Sequence, residues 1–168
     1  MIKLAVDCMG SDNGPLAICE GIKNFLNNNQ DVFIYACGDE KELSSLNDNE
    51  RVKIVHTTEV VPMECGAMQV MRMKNSSMMK AISLFNDEHV DAAVSAGSTG
   101  GFLSLATLKL KLIPGIERAA LISPFPTKTG KPVAILDIGA SNENTPSQLV
   151  QFAAMGKIYS QAIFNNEL

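Results

Sequence analysis

No run of basic residues interrupts this chain, and its formal charge at neutral pH is −4. Nucleic acid, which is held mainly by clustered Lys and Arg set against phosphates, is therefore a poor partner for it. Proline is scarce, at 7 of 168 residues, and only 19% of residues are charged, so the signature of a disordered chain is missing. The four cysteines, Cys8, Cys19, Cys37 and Cys65, are too far apart for any Cys-x-x-Cys pair. That spacing disfavours disulfides and zinc, and buried free thiols in a reducing compartment are expected. Long apolar runs are absent as well. The N-terminal MIKLAVD reaches an acid at Asp7 and does not read as a signal peptide. The greasiest stretch, Gly101 to Pro114, is short and carries Lys109 and Lys111, which is not a bilayer span. A cytoplasmic chain is expected. Hydrophobic residues still make up 46%, enough for a core, and the length suits one domain over residues 1–168.

What is present is an alternation. Short apolar runs at Ile2–Val6, Val32–Ala36, Val52–Val55, Ala92–Val94, Ala119–Ile122 and Val133–Leu136 read as strands, each followed by Gly or polar punctuation. Between them lie segments of helical period. Leu16, Ile18, Ile22 and Leu26 mark one, and Met78, Ile82 and Phe85, capped near Ser76, mark a second. A third runs from the glycines at 97–101 through Leu112 and is apolar nearly all round, which predicts burial on several sides. Thr145-Pro146-Ser147-Gln148 is a capping box with proline at the first helical position, and its helix should bury Leu149, Phe152, Ala153 and Ile158. This pattern predicts an α/β fold with a mostly parallel sheet and helices on both faces. The nine methionines are expected to be mostly core filler. The tail Asn165–Leu168 carries no signal of a natural fold end.

In such sheets ligands bind beyond the carboxyl ends of the strands. Three glycine-bearing loops fall there: Asp7–Gly14, Ser95–Gly101 and Asp137–Asn142. Glycines let a backbone approach a ligand closely, and free N–H groups at a following helix favour an anion. Asp7, Gly10, Asp12, Asn13, Ser95, Gly97, Thr99, Gly100, Asp137, Gly139 and Asn142 are thus candidate phosphate or substrate contacts, alongside Lys128. The ends of strands one, four and six are expected on one sheet edge, with Gly10, Gly97 and Gly139 lining one cleft. Plain turn chemistry is the competing reading for each loop. The aspartates serve equally as loop-ordering carboxylates that need no metal. His56, at a strand end, is a candidate general base or anion ligand, or a hydrogen-bonded structural histidine; His89 is expected to be exposed. Cys8 has no activating histidine in the sequence, so it is a poor nucleophile. Arg72, Lys74 and Lys80 flank the helix start at Ser76 and form either a solvated basic face or a docking patch for an acidic partner; Lys128 and Lys131 allow the same two readings. The nucleotide loops GxGxxG and GxxxxGK[ST] are both absent, since Gly130-Lys131 is followed by Pro132, and this disfavours nicotinamide and ATP.

Together these stretches resemble the bacterial acyl-ACP:phosphate acyltransferase family of phospholipid synthesis, known as PlsX. The matching pieces are Val6-Asp7-Cys8-Met9-Gly10-Ser11-Asp12-Asn13, Ile54 to Glu59, Lys74 to Met78, Val94 to Gly100, Pro126-Thr127-Lys128, Leu136 to Ala140 and Leu149 to Gly156. They occur in family order from Met1 to about Ile163. The chain departs from the family with Ser98 in place of Asn, Cys8 in place of Ala, and Ser141-Asn142-Glu143-Asn144 in place of a segment near NVDCK. Family members are about twice as long, so the chain reads as an N-terminal half.

The resemblance implies a three-layer fold like those of phosphotransacetylases and isocitrate-type dehydrogenases. It implies transfer of a fatty acyl group from acyl carrier protein to inorganic phosphate, without cofactor, metal or covalent intermediate. It also implies a homodimer, with peripheral membrane contact through the remaining half. The acidic carrier protein would meet Arg72, Lys74 and Lys80. A short-chain phosphotransacylase using coenzyme A and a non-catalytic binding fragment are the alternatives.

Overall fold

The protein was analysed as a computed structural model that describes residues 1–87 and 89–164. The tail at 165–168, where the sequence offers no fold-end signal, lies outside the described residues. Two compact units divide the chain, Met1–Lys111 and Leu112–Leu168.

The first unit is built on four parallel strands, β1 (Ile2–Asp7), β2 (Val32–Gly38), β3 (Val52–His56) and β4 (Ala92–Ser95), in the order β3-β2-β1-β4. The period-two pattern of each strand sorts its side chains between two helical layers. Leu4, Val6, Val32, Ile34 and Ala36 pack with Cys19, Ile22 and Leu26 of α1 (Gly14–Asn28). Ala5, Tyr35 and Cys37 pack on the opposite face with Ala81 and Leu84 of α3 (Ser77–Asn86). A satellite cluster joins Val61, Val70 of α2 (Ala67–Arg72), Met78, Met79 and Ile82 of α3, and Leu105 of α4 (Thr99–Leu110). Helices on both faces of a parallel sheet are the expected architecture.

Capping fixes where several of these elements begin and end. Ser76 accepts a hydrogen bond from the Met79 N–H at 3.2 Å, and so starts α3 where the sequence puts it. Arg51 donates through its two terminal nitrogens to the carbonyls of Asn29 (2.6 Å) and Leu26 (2.8 Å). A cation thus serves the orphan carbonyls at the end of α1, a favourable match to the helix dipole.

The second unit holds an antiparallel pair, β5 (Ile122–Phe125) with β6 (Val133–Leu136), and α5 (Pro146–Phe164). The capping box forms: Gln148 N–H donates to the Thr145 hydroxyl at 3.3 Å, and Thr145 N–H donates to the Gln148 side chain at 3.0 Å. Phe152 is buried as expected, whereas Leu149, Ala153 and Ile158 stay exposed.

Four expectations need correction. The fifth strand runs over Ile122–Phe125, not Ala119–Ile122. Pro124 disguises it, but a two-stranded ribbon tolerates a proline because its outer edge needs no N–H donor. Consequently β6 pairs antiparallel outside the main sheet, so only strands one and four of the expected trio share an edge there. The all-round apolar helix ends at Leu110 rather than Leu112, where Lys111 turns into the left-handed region (φ 64°), and only Gly101 and Leu105 of it are buried. Of the methionines, Met78 and Met79 are buried in the core, while Met63 and Met68 are exposed.

Cys8, Cys19 and Cys37 are buried free thiols, and Cys65 is half-buried. Burial pushes the Cys37 thiol up to about 12, with the Asp7 charge adding to the effect. Burial raises Cys8 further, aided by Cys37, Cys19 and Asp7. Iodoacetamide applied to the folded chain at mildly alkaline pH should therefore label Cys65 alone, with the other three following only in denaturant. Mass spectrometry of the labelled peptides reads this directly; rapid native labelling of Cys37 would contradict the burial described.

Candidate functional site

Parallel register brings the carboxyl ends of the four strands into line. Asp7 pairs with Cys37 on one side and Ser95 on the other, and Gly38 pairs with His56. The loops after β1 and β4 are therefore neighbours, and they touch. A methyl group on Gly10 would lie 3.0 Å from Gly97 Cα, and one on Gly97 would lie 3.2 Å from Gly10 Cα and from Met78 Cε. Backbone against backbone at that distance is tighter than nearly all Cβ contacts, so a side chain at either position would push the two loops apart by a few tenths of an ångström. This packing accounts for both glycines before any ligand is considered.

A buried hydrogen-bond chain ties the same two loops. Asp7 is 1% exposed. Its carboxylate accepts from the Ser95 hydroxyl at 2.7 Å and from the Met9 N–H at 3.3 Å. Ser95 Oγ in turn accepts from the Gly97 N–H at 3.0 Å. One residue further on, Ser98 caps α4. Its hydroxyl accepts from the Gly101 N–H at 3.2 Å and donates to the Met63 carbonyl at 2.9 Å. With the N–H groups of Gly97 and Gly101 so engaged, those of Thr99 and Gly100 have no partner among the described residues. Both residues are exposed. This is the part of the loop geometrically able to receive an anion.

The candidates after β1 are open to solvent. Asp12 and Asn13 are exposed, and Asn13 stands at the N-cap of α1 without its side chain making a capping bond. Its amide is available to a ligand.

The remaining first-unit candidates lie elsewhere. His56 is exposed, and its Nδ1 accepts from the Glu40 N–H at 3.2 Å. The neutral ring then carries its proton on Nε2, which suits donation to an anion better than proton abstraction. β3 is three strands from β4 in the sheet, roughly 14 Å at ordinary strand spacing, so His56 does not join the Ser95–Gly101 loop. Arg72 and Lys74 are exposed at and just beyond the end of α2. Lys80 differs: it is half-buried on α3, and its charge reaches the Cys37 thiol at the strand ends, against the larger effect of burial there. The basic trio of the sequence thus separates into an exposed pair and an inward-lying lysine. His89 is exposed as expected.

Within the second unit, Asp137 Oδ2 accepts from the Ser141 hydroxyl at 2.7 Å and Oδ1 accepts from the Leu121 N–H at 2.9 Å. Burial works against its charged form. Hydrogen bonds from the Ser141 side chain and from the backbone of Leu121, Ala140 and Ser141 outweigh that and hold the carboxyl below its usual range. Gly139 adopts φ 92°, which the turn requires of it, and Asn142 is exposed. Lys128 and Lys131 are exposed in the hairpin turn between β5 and β6, where the Gly130 N–H donates to the Thr127 carbonyl at 3.0 Å.

Several polar groups at the strand ends carry no motif. Asn75 N–H donates to the Glu59 carboxylate at 2.8 Å and Asn75 Nδ2 donates to the Thr58 hydroxyl at 3.1 Å, which stitches the segment after β3 to the start of α3. Thr57 and Ser77, 2% and 1% exposed, hold hydroxyl oxygens with no partner among the described residues. Only their position after a strand and at a helix start could have drawn attention to them. Among the described residues no group of three His, Cys, Asp or Glu side chains converges as for a metal. No described helix is long and apolar enough to cross a membrane.

Comparison with known proteins adds the family. A phosphate acyltransferase of Clostridium beijerinckii is 43% identical over 98% of this chain, which spans 51% of that protein. One from Coxiella burnetii is 40% identical over 96% of this chain and 50% of its own length, and one from Clostridium perfringens is 41% identical over 98% and 50%. The chain therefore spans about half the length of the curated relatives it matches. In fold it is similar to a branched-chain phosphotransacylase of Enterococcus faecalis, with a TM-score of 0.58 at 17% identity, covering 96% of this chain and 51% of that one. Residues 2–167 match the family described as fatty acid synthesis protein, and the chain belongs to it.

Proposed function

We propose that this chain is the N-terminal half of a phosphate acyltransferase that makes acyl phosphate from an acyl carrier protein thioester and inorganic phosphate. The observation that carries the reading is the identity of about two residues in five with curated phosphate acyltransferases along nearly the whole chain. The adjoining glycine loops after β1 and β4 give it a place to occur. The whole chain is read as one α/β unit of that larger, cytoplasmic, homodimeric protein, whose other half supplies any contact with a membrane.

The chemistry asks for little beyond placement. A phosphate oxygen attacks the thioester carbonyl, the C–S bond breaks, and the carrier leaves as its thiolate. Phosphate is already a nucleophile, so the protein must hold it beside the carbonyl and stabilise the oxyanion that develops. In this reading the free N–H groups of Thr99 and Gly100 and the Thr99 hydroxyl bind the anion at the start of α4, with Asn13 and Asp12 across from them. Gly10 and Gly97 let the two loops close. Lys128, Asp137, Gly139 and Asn142 are read as substrate-binding residues in their own right. His56 serves as an anion donor through Nε2. Arg72 and Lys74 receive the acidic carrier protein, with Lys80 the inner edge of that basic region.

Acyl-phosphate formation assayed with carrier-protein thioester and phosphate tests the reading. The full-length protein should turn over, and this chain alone should be inactive or nearly so, because excluding water from a cleft takes two walls. Turnover by this chain equal to that of the full-length protein would refute the half-enzyme proposal.

Thr99→Val is the cleanest probe of the anion site, since it removes a hydroxyl from an exposed position. It should raise the phosphate KM about ten- to a hundredfold, the effect of losing a hydrogen bond to a charged ligand. An unchanged phosphate KM in a folded variant would return Thr99 to a purely structural part.

Arg72→Glu combined with Lys74→Glu should weaken use of the carrier-protein thioester and spare a small acyl-CoA donor, with the loss shrinking as salt is raised. Equal losses with both donors would contradict docking at this pair.

A further inference from the structure

We propose that β4 becomes an internal strand in the complete protein, where the half of the polypeptide outside this chain lays a strand along its free edge and a helix in the apolar groove beside α1. The proposal rests on the half-enzyme reading above and names the surface through which the second half joins the first unit.

Parallel sheets are covered on both faces, because their crossovers place helices there. The first unit meets that rule on the side of α3, where α2 and α4 also pack. On the other side the cluster around α1 takes its sheet residues from β1, β2 and β3 and none from β4. Register places Val94 beside Val6 on that uncovered face, and Val94 is 48% exposed. An open apolar groove of about 300 Å3 runs there, lined on the sheet by Leu4, Val6 and Val94 and on α1 by Ala17, Gly21 and Phe25.

Two further observations say what fits the groove. Gly21 stands in the middle of α1, where glycine weakens a helix relative to alanine, yet a methyl group added to it meets nothing within 4 Å. Nothing in this chain therefore requires that glycine. With Ala17 one turn before it, it offers a low surface on which a second helix can settle at short interaxial distance. The sheet edge points the same way. β3, at the opposite edge, carries Lys53, a charge of the kind that keeps an edge from pairing. Ala92-Ala93-Val94-Ser95 of β4 has no charge and no proline, and its free edge pairs with no strand among the described residues.

A fatty acyl chain would fill the groove but leave the edge of β4 unpaired, whereas a strand with its helix accounts for both. The curated relatives carry about as much polypeptide again as this chain, enough to supply them. A strand on that edge runs beside Ser95, so groups from the second half reach the Ser95–Gly101 loop from the side of β4 opposite β1.

Thiol labelling tests the groove. Val94→Cys is made together with Cys65→Ser, which removes the half-buried native thiol, both in this chain and in the full-length protein. Iodoacetamide should label the introduced thiol rapidly in this chain and only after denaturation in the full-length protein, as read by mass spectrometry. Deuterium uptake by a peptide spanning Ala92–Ser95 should fall in the full-length protein in the same way. Gly21→Leu supplies a test of opposite signs. It should raise the melting temperature of this chain, through better helix propensity in open space, and lower that of the full-length protein, where the space is taken.

Equal labelling of Val94→Cys in the two proteins would overturn the proposal and leave the groove to a fatty acyl chain. Protection already present in this chain would overturn it too, in favour of a second copy if the protection vanishes on dilution and of this chain's own residues if it does not. A full-length protein that tolerates Gly21→Leu as this chain does would place no helix there. Protection in a full-length protein that makes no acyl phosphate would instead sink the acyltransferase reading and leave the interface standing.

Discussion

A carboxylate almost cut off from water stands at the end of β1, and the geometry of the neighbouring loops follows from satisfying it. Unpaired, a buried charge of that kind costs several kcal/mol, so Asp7 fixes what its neighbours do. Ser95 must present a hydroxyl at the matching register position of β4, and the Asp7–Ser95 pairing supplies it. The loop after β4 must then fold back so that Gly97 meets Ser95, which brings it against Gly10. A side chain on either glycine would press on the backbone of the other. The register of a parallel pair, a buried charge and a glycine contact are three expressions of one constraint.

The same constraint explains what the sequence could and could not convey. The four parallel strands and α1, α3 and α5 are legible because each is local: an apolar run of strand length, a capping serine or threonine, a proline at a helix start. β5 is not, because Ser123-Pro124 reads as a break, and only its antiparallel partner reveals that no donor is needed there. α2 is not legible, because its six residues carry one buried side chain, Val70, too little for a period to show. α4 misled in the opposite direction. Its composition predicts burial on several sides, yet within this chain it buries only Gly101 and Leu105. An apolar pattern reports what the full complement of partners would cover, and a chain half the length of its relatives need not contain them all.

At the candidate site, sequence spacing located the loops but could not assign the work within them. Glycine at a strand end signals close approach without saying of what; here Gly10 and Gly97 approach each other. Serine signals a cap without saying which groups it leaves over. That Ser95 and Ser98 occupy the N–H groups of Gly97 and Gly101, leaving those of Thr99 and Gly100, depends on distances no motif encodes. The basic residues show the same limit. Arg72, Lys74 and Lys80 look like one patch because they are close in sequence, but α2 ends before Lys74 and α3 carries Lys80 to the edge of the sheet core.

A site assembled this way divides its labour between groups that bind and groups that hold the binders still. Backbone N–H groups are weak donors singly, and loop flexibility would average their directions away. What would make a pair of them useful to an anion is a loop braced around them, here at Gly97 by Ser95 and at Gly101 by Ser98. Ser98 belongs to the groups that hold. Its hydroxyl is 4% exposed together with the rest of the side chain and is wholly committed to Gly101 and Met63. A residue turned inward in that way answers to the loop it braces.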